Sequence, residues 1–373
     1  MSGDQTRLNE LRKQVLGWNK VHPVGTKVRT PLYPGRVLET SSAATVLFGR
    51  KPVVHLAGFS GYFDLETVTP VETAGHEEQR TVIMFPGQGT QRRGMGAELF
   101  TSFPDETRRA SEILGYSIEQ LCVDDPQGRL DQTRYAQVAL YVVNALGYMQ
   151  HQRQSGQPRC KADILMGHSL GEYNALQAAG VFDFATGLRM VQRRGALMGQ
   201  VTGGGMAAVI GLTPDRIETL LAGSEEGRRI DVANFNSSDQ TVIAGPEPDL
   251  AAVQPAFEAA GARKFSLLKV SAPFHSRYMR EPMLEFGHFL EDFGFAAPSI
   301  PVIANVSAQP YPVDAVRDTL ARQIGHSVRW LDTMTYLFDH GVTDVEEVGP
   351  GTVLAKLAQR IKKARSTEVL HRP

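Results

Sequence analysis

Residues 163–184 read DILMGHSLGEYNALQAAGVFDF. The short run Asp163–Met166 has the character of a buried strand, and Glu172–Ala179 that of a helix. Between them lies Gly167-His168-Ser169-Leu170-Gly171. Its glycines permit a sharp strand-to-helix turn that lifts the serine hydroxyl clear of the backbone. The first N–H groups of the helix then face any oxyanion that forms beside the serine. A glycine-rich turn with a helix-capping serine gives the same five letters, and the chain holds 36 glycines, so the surroundings must decide.

Those surroundings alternate strand and helix. Thr81–Phe85 is an apolar β run ending in Pro86-Gly87-Gln88-Gly89, Ala136–Met149 is a strongly apolar helix, and Phe184–Met198 is an amphipathic, Arg-rich one. Repeats of this kind predict an α/β core with a mostly parallel sheet and a nucleophile elbow, as in hydrolases. Residues 203–268 read as an insert. A strand after a triple glycine is followed by the helix Thr213–Ala222, the strands Ile230–Asn234 and Gln240–Gly245, the helix Pro248–Ala260 and the strand Lys264–Val270. That βαββαβ order predicts a ferredoxin-like subdomain, with the main core resuming at Ser271.

The first 75 residues differ. A helix over residues 6–19, with Leu8, Leu11, Val15 and Leu16 on one face, precedes the short β runs Thr26–Thr30, Arg36–Glu39, Pro52–Leu56 and Tyr62–Leu65. The last two flank Ala57–Gly61 and read as a hairpin. We expect a small, SH3-like β-barrel over 1–75 with a linker at 76–80. The large α/β part is expected over 81–202 and 269–365, split by the small subdomain over 203–268. The first segment carries nine Lys/Arg against six Asp/Glu, a small surplus for an acidic partner or merely a solvated surface.

Composition narrows the function classes. With 39 Lys+Arg against 40 Asp+Glu, the 373-residue chain has a formal charge of -1, which argues against a nucleic-acid binder. No apolar run reaches the roughly 18–20 residues that a membrane span needs, and the first residues lack a signal peptide's apolar core. The two cysteines, Cys122 and Cys160, form no CxxC, so neither a disulfide framework nor a structural zinc site is expected. We expect a cytoplasmic protein.

A nucleophilic serine needs a base. Of ten histidines, His22, His76, His151, His340 and His371 sit in polar or terminal segments, His55 in the β region, and His168 beside the serine with its ring directed away from it. His275, in Val270-Ser-Ala-Pro-Phe-His-Ser276, lies where a strand end enters a loop and can project into a cleft. No local signature marks a third, acidic member. A Ser-His dyad oriented by a backbone carbonyl remains workable.

Five ordered blocks now carry a resemblance: Phe85-Pro-Gly-Gln-Gly-Thr-Gln91, Gly167-His-Ser-Leu-Gly-Glu-Tyr173, Gln192-Arg-Arg-Gly195, Ala272-Pro-Phe-His275 and Glu347-Val-Gly-Pro-Gly351. Across residues 81–360 the chain resembles the malonyl-CoA:acyl carrier protein transacylases and the acyltransferases of polyketide synthases. Asn234–Gly245 is similar to the family's small subdomain. The extended elbow is most similar to free-standing, trans-acting acyltransferases that serve synthases lacking their own. The resemblance does not cover residues 1–75.

The resemblance implies a ping-pong transfer. Ser169 would take the acyl group from coenzyme A and His275 would shuttle the proton. The main-chain carbonyl of Gln323 would orient that histidine, and the N–H groups of Gln88 and Leu170 would hold the oxyanion. Arg194, 25 residues after the elbow serine, matches the arginine that pairs with a malonyl carboxylate. A planar guanidinium grips such a group at two points, as lysine cannot. His168 and Phe274 fall at pocket positions. Phe274 and Leu170 suit malonyl over methylmalonyl, although Ala272-Pro273 departs from the family's His-Ala in that block. The implied partners are malonyl-CoA, an acyl carrier protein and a polyketide synthase. No metal or redox cofactor is expected, since the coenzyme A thioester is a substrate. Rival readings are a hydrolase clearing stalled acyl chains, transfer of another acyl group between carrier proteins, and a silent docking protein. The basic run Arg360–Arg365 reads as a solvated helix face or a carrier-protein dock.

Overall fold

The structure, a computed structural model, describes residues 2–22, 24–34, 36–48, 50–71, 80–155, 162–270 and 272–370. The chain forms two compact units, residues 1–78 and 79–373. Most of the expected linker, Ser271, and the residues His76, Cys160 and His371 lie outside the described residues.

In the first unit the helix Ser2–Val21 exceeds the expected one at both ends. Val15 joins its core and Trp18 packs against it, whereas Leu16 is 70% exposed. Leu16 therefore leaves the expected face, because a step of one residue turns about 100° around a helix. Two three-stranded antiparallel sheets follow. Lys27–Arg29 is flanked by Leu38–Glu39 and Thr69–Pro70, while Lys51–Val54 is flanked by Thr45–Leu47 and Phe63–Asp64. The hairpin forms with Val54 opposite Phe63. The sequence reading names neither Thr45–Leu47 nor Thr69–Pro70, since strands of two or three residues hold too few side chains to alternate visibly.

The second unit is built on a parallel sheet in the order Val302–Ile303, Ile164–Gly167, Arg80–Phe85, Val342–Glu347. Alternation of side chains divides its two faces. Ile83, Phe85 and Leu165 enter one apolar core; Val82, Met84, Ile164 and Met166 enter another. Against the first core lies the helix Thr133–Gln154, crossed by Phe184–Gln200. The edge strand Val342–Glu347 has no apolar run to reveal it, because its outer positions face water. The register sets Phe85 beside Gly167 and Met166 beside Ile303, so the loops after three strands open at one end of the sheet. Ligand sites of open parallel sheets form at that end.

A four-stranded antiparallel sheet occupies the insert, ordered Asp231–Ser237, Gln240–Gly245, Gly205–Ile210, Lys264–Leu267. The helices Pro214–Ala222 and Glu247–Ala259 bury Ile217, Leu250, Val253 and Phe257 against it. Thr213 caps the first of them by accepting a hydrogen bond from Arg216 N. The last strand stops at Leu267 rather than Val270. Val328 donates to Ala233 O at 2.9 Å and accepts from Phe235 N at 3.0 Å, tying this sheet to the chain entering the helix Trp330–Asp339. Among the described residues no helix is long and apolar enough to cross a membrane.

Candidate active site

Ser169 stands between the strand Ile164–Gly167 and the helix Gly171–Ala178 with φ +50°. Such backbone costs a side-chain-bearing residue about 1–3 kcal/mol and persists only where its surroundings enforce it. Here they do. Ser169 N donates to Asn305 Oδ1 at 2.7 Å, Asn305 Nδ2 donates to Gly167 O at 2.7 Å, and Gln323 Nε2 donates to Ser169 O at 2.7 Å. The flanking glycines are required by close approach: a Cβ on Gly171 would collide with Phe85 O, and one on Gly167 with the Gly171 backbone.

His275 also has positive φ, +58°, and is buried. Its Nε2 lies 2.8 Å from Ser169 Oγ. Its Nδ1 lies 2.9 Å from Gln323 O and 3.2 Å from His326 O. Both carbonyls only accept, so Nδ1 carries the hydrogen and Nε2 turns its lone pair to the serine. Among the described residues no carboxylate takes the third position. Burial, and secondarily the Arg194 charge, hold the His275 pKa down at about 3, so the ring is neutral and can accept a proton.

Arg194 is buried, 1% exposed, while Arg189 on the same helix is exposed. Its Nη2 donates to Ser169 Oγ at 3.0 Å and to Gln323 Oε1 at 2.9 Å, and its Nη1 to Gln137 Oε1 at 2.7 Å. Its buried Nε has no hydrogen-bond partner, and burial lowers its pKa. The cation is thus held by neutral oxygens within reach of the serine, with donor capacity left over. Ser169 itself is half-buried among buried partners.

The other expected residues fall nearby. Leu170 is buried and Gln88 half-buried, and neither backbone N–H takes part in a hydrogen bond among the described residues. The Gln88 side chain donates to Thr133 Oγ1 at 3.3 Å. His168 points away from the serine: its Nε2 lies 3.0 Å from Asn236 Oδ1, and its ring sits beside Trp330 with centroids 5.5 Å apart. Burial lowers its pKa. Phe274 is buried in the core that holds Leu170. The basic run is largely engaged within the unit. Arg360 donates to Gln240 Oε1, Lys362 to Thr343 O, and Arg365 pairs with Asp339. Cys122 is buried, and burial raises its thiol pKa.

Sequence reasoning missed four participants. Gln137 carried a faint signal, as a lone amide in an apolar helix that recurs seven residues on as Asn144. Asn305 and Tyr311 carried none, because loop residues have no periodicity to break. Glu172 was read only as part of the elbow block, yet it is fully buried.

The acyl transferase domain family matches residues 82–367. The polyketide biosynthesis malonyl CoA-acyl carrier protein transacylase BaeC of Bacillus velezensis is 49% identical over 280 residues, covering 75% of this chain and 96% of that protein. The chain spans only 36% of polyketide biosynthesis protein PksE of Bacillus subtilis and 25% of ThaF of Burkholderia thailandensis, each 48% identical over the shared part. Among solved structures, a malonyl CoA-acyl carrier protein transacylase from Burkholderia pseudomallei is 43% identical, with TM-score 0.72, covering 76% of this chain and 98% of that one. A malonyl-transacylase in complex with a type II polyketide synthase acyl-carrier protein is 35% identical with TM-score 0.72, covering 76% of this chain and 93% of that one.

Proposed function

The chain belongs to the acyl transferase domain family, and from that premise we propose that it moves a malonyl unit from coenzyme A to the phosphopantetheine thiol of an acyl carrier protein, in polyketide biosynthesis. One observation carries the reading. A single hydroxyl, Ser169 Oγ, meets a neutral imidazole at 2.8 Å and a buried guanidinium at 3.0 Å. The first arrangement serves acyl transfer, and the second serves an acyl group that ends in a carboxylate.

In the proposed cycle Ser169 Oγ attacks the thioester carbonyl as its proton passes to His275 Nε2. The N–H groups of Gln88 and Leu170 receive the oxyanion, and their freedom from other partners supports that role. Collapse breaks the C–S bond, and His275 returns its proton to the departing thiol. The carrier protein's thiol then gives up a proton to His275 and attacks the acyl-serine; the C–O bond breaks, and His275 returns that proton to the departing Ser169 Oγ. Arg194 pairs throughout with the distal carboxylate, whose burial without a counter-charge would be costly. Acyl transfer changes no oxidation state, so the reading calls for no redox cofactor beside the thioester substrate. A cytoplasmic setting belongs to the same proposal, supported by the coenzyme A substrate.

Two finer assignments belong here. The insert is read as ferredoxin-like, supported by its βαββαβ order and its sheet, in which the first and third strands are central. The domain expected over residues 1–75 is read as SH3-like, supported by two antiparallel sheets and the bridge Thr40–Leu56. The test of function is intact-protein mass spectrometry after brief mixing with malonyl-CoA. We expect a malonyl-sized gain in the wild type, none in Ser169→Ala, and discharge onto added carrier protein. Free malonate accumulating in place of a discharged adduct would favour the hydrolase.

A further inference from the structure

One group beside the site does no chemistry in this cycle and yet is costly to bury. Glu172 is fully buried; burial raises its pKa to about 7, and the Arg194 charge offsets only part of that cost. An apolar side chain would pack there without the desolvation penalty of a carboxylate. Three donors from outside its own helix converge on it. Tyr311 O–H donates to Oε1, Asn305 N donates to Oε2 at 3.1 Å, and Gln323 Nε2 donates to Oε2 at 3.0 Å.

Two of these donors lead to the reacting groups. Asn305 holds Ser169 N. Gln323 does more: its second Nε2 hydrogen goes to Ser169 O, its Oε1 accepts from Arg194, and its main-chain oxygen accepts from His275. Both Nε2 hydrogens are therefore spent, and the amide oxygen can face only the guanidinium. Of the three groups that fix this amide, only Glu172 neither reacts nor meets the acyl chain.

We propose that Glu172 is a positioning residue for acyl selection: by pinning the Gln323 amide it holds Arg194 where the carboxylate of an acyl group must dock. This rests on the malonyl-transfer reading above. The role needs an acceptor rather than a charge. A glutamine at 172 can accept from Gln323 and Asn305 through its oxygen while its NH₂ faces the Tyr311 oxygen. A methionine of similar volume offers only a weak thioether acceptor in place of two carboxylate oxygens.

The experiment compares acylation of Ser169 by malonyl-CoA and by acetyl-CoA in wild type, Glu172→Met and Glu172→Gln, with thermal melting alongside. In Glu172→Met the malonyl kcat/KM falls about tenfold or more, the loss expected when a hydrogen bond to a charged network is removed, while the acetyl value changes little. Glu172→Gln restores the malonyl preference. Should Glu172→Met fail to fold, Glu172→Asp decides: its carboxylate, one methylene short, loses reach to Gln323 and lowers the preference. Parallel loss of both substrates, or an unchanged preference, overturns the proposal. A wild type that forms no malonyl adduct at all instead overturns the reading beneath it.

Discussion

Replacing Arg194 by alanine separates binding of the acyl carboxylate from the chemistry at the serine. The guanidinium spends hydrogen bonds on Gln137, Ser169 and Gln323 and keeps a buried, unpartnered Nε. A docked malonyl carboxylate would take two charge-assisted bonds from it. Each is worth about 1.5–3 kcal/mol, so the variant should lose about 3–6 kcal/mol of transition-state stabilisation. At a factor of ten per 1.36 kcal/mol, kcat/KM for malonyl-CoA should fall by about 10²–10⁴. Acetyl-CoA carries no carboxylate and should keep its rate, since Ser169 and His275 still face each other at 2.8 Å. The folded state should weaken as well, because Gln137 Oε1 and Gln323 Oε1 lose a buried donor, offset in part by removal of a buried charge. The assay is single-turnover acylation of Ser169 read by mass, with both thioesters, across wild type, Arg194→Ala and Arg194→Lys. The lysine should recover only part of the loss, as a point charge without the planar fork. Equal losses for malonyl and acetyl would refute the reasoning, since they would show that Arg194 serves the serine and not the acyl chain.

Two further outcomes follow from the same geometry. Asn305→Ala leaves the Ser169 N–H and Gly167 O without partners at a strained elbow; at about 1–3 kcal/mol for each buried unsatisfied group, acylation by both thioesters and the melting temperature should fall together, and an unchanged melting temperature would contradict the account. The second concerns pH: His275 is depressed to about 3 from an ordinary 6.5, so the ring stays deprotonated as pH falls through 6.5, and acetylation of Ser169, followed by rapid-quench mass spectrometry, should hold its rate there, whereas a halved rate at 6.5 would mean that the histidine titrates normally.

The strand-to-helix switch at residues 163–179 was legible because it is local. Its apolar run, its two glycines and its helical face lie within a few turns of chain, and the glycine requirement follows from backbone sterics alone. The βαββαβ order of the insert was legible for the same reason, since each element announces itself by its own period. Within the insert, boundaries shifted by one to three residues where caps and edges decided them, as at Lys264–Leu267. Leu16 was misplaced because an isolated helix does not say which of two adjacent apolar stripes its neighbours will cover.

What the residues by themselves determined was thus the candidate serine, its turn and the class of fold around it. What only the tertiary structure decided was the company that Ser169 keeps. His275 arrives from 106 residues away, Asn305 from 136 and Gln323 from 154. Their orientation depends on hydrogen bonds between loops and helix ends, which leave no periodic mark in a sequence. Burial turned Arg194 from one arginine among several on a helix into the sole guanidinium beside the serine hydroxyl among the described residues. It likewise turned Glu172 from an ordinary helix residue into the point where three strands of that network meet. Burial is a property of packing, and packing is decided by the whole chain at once.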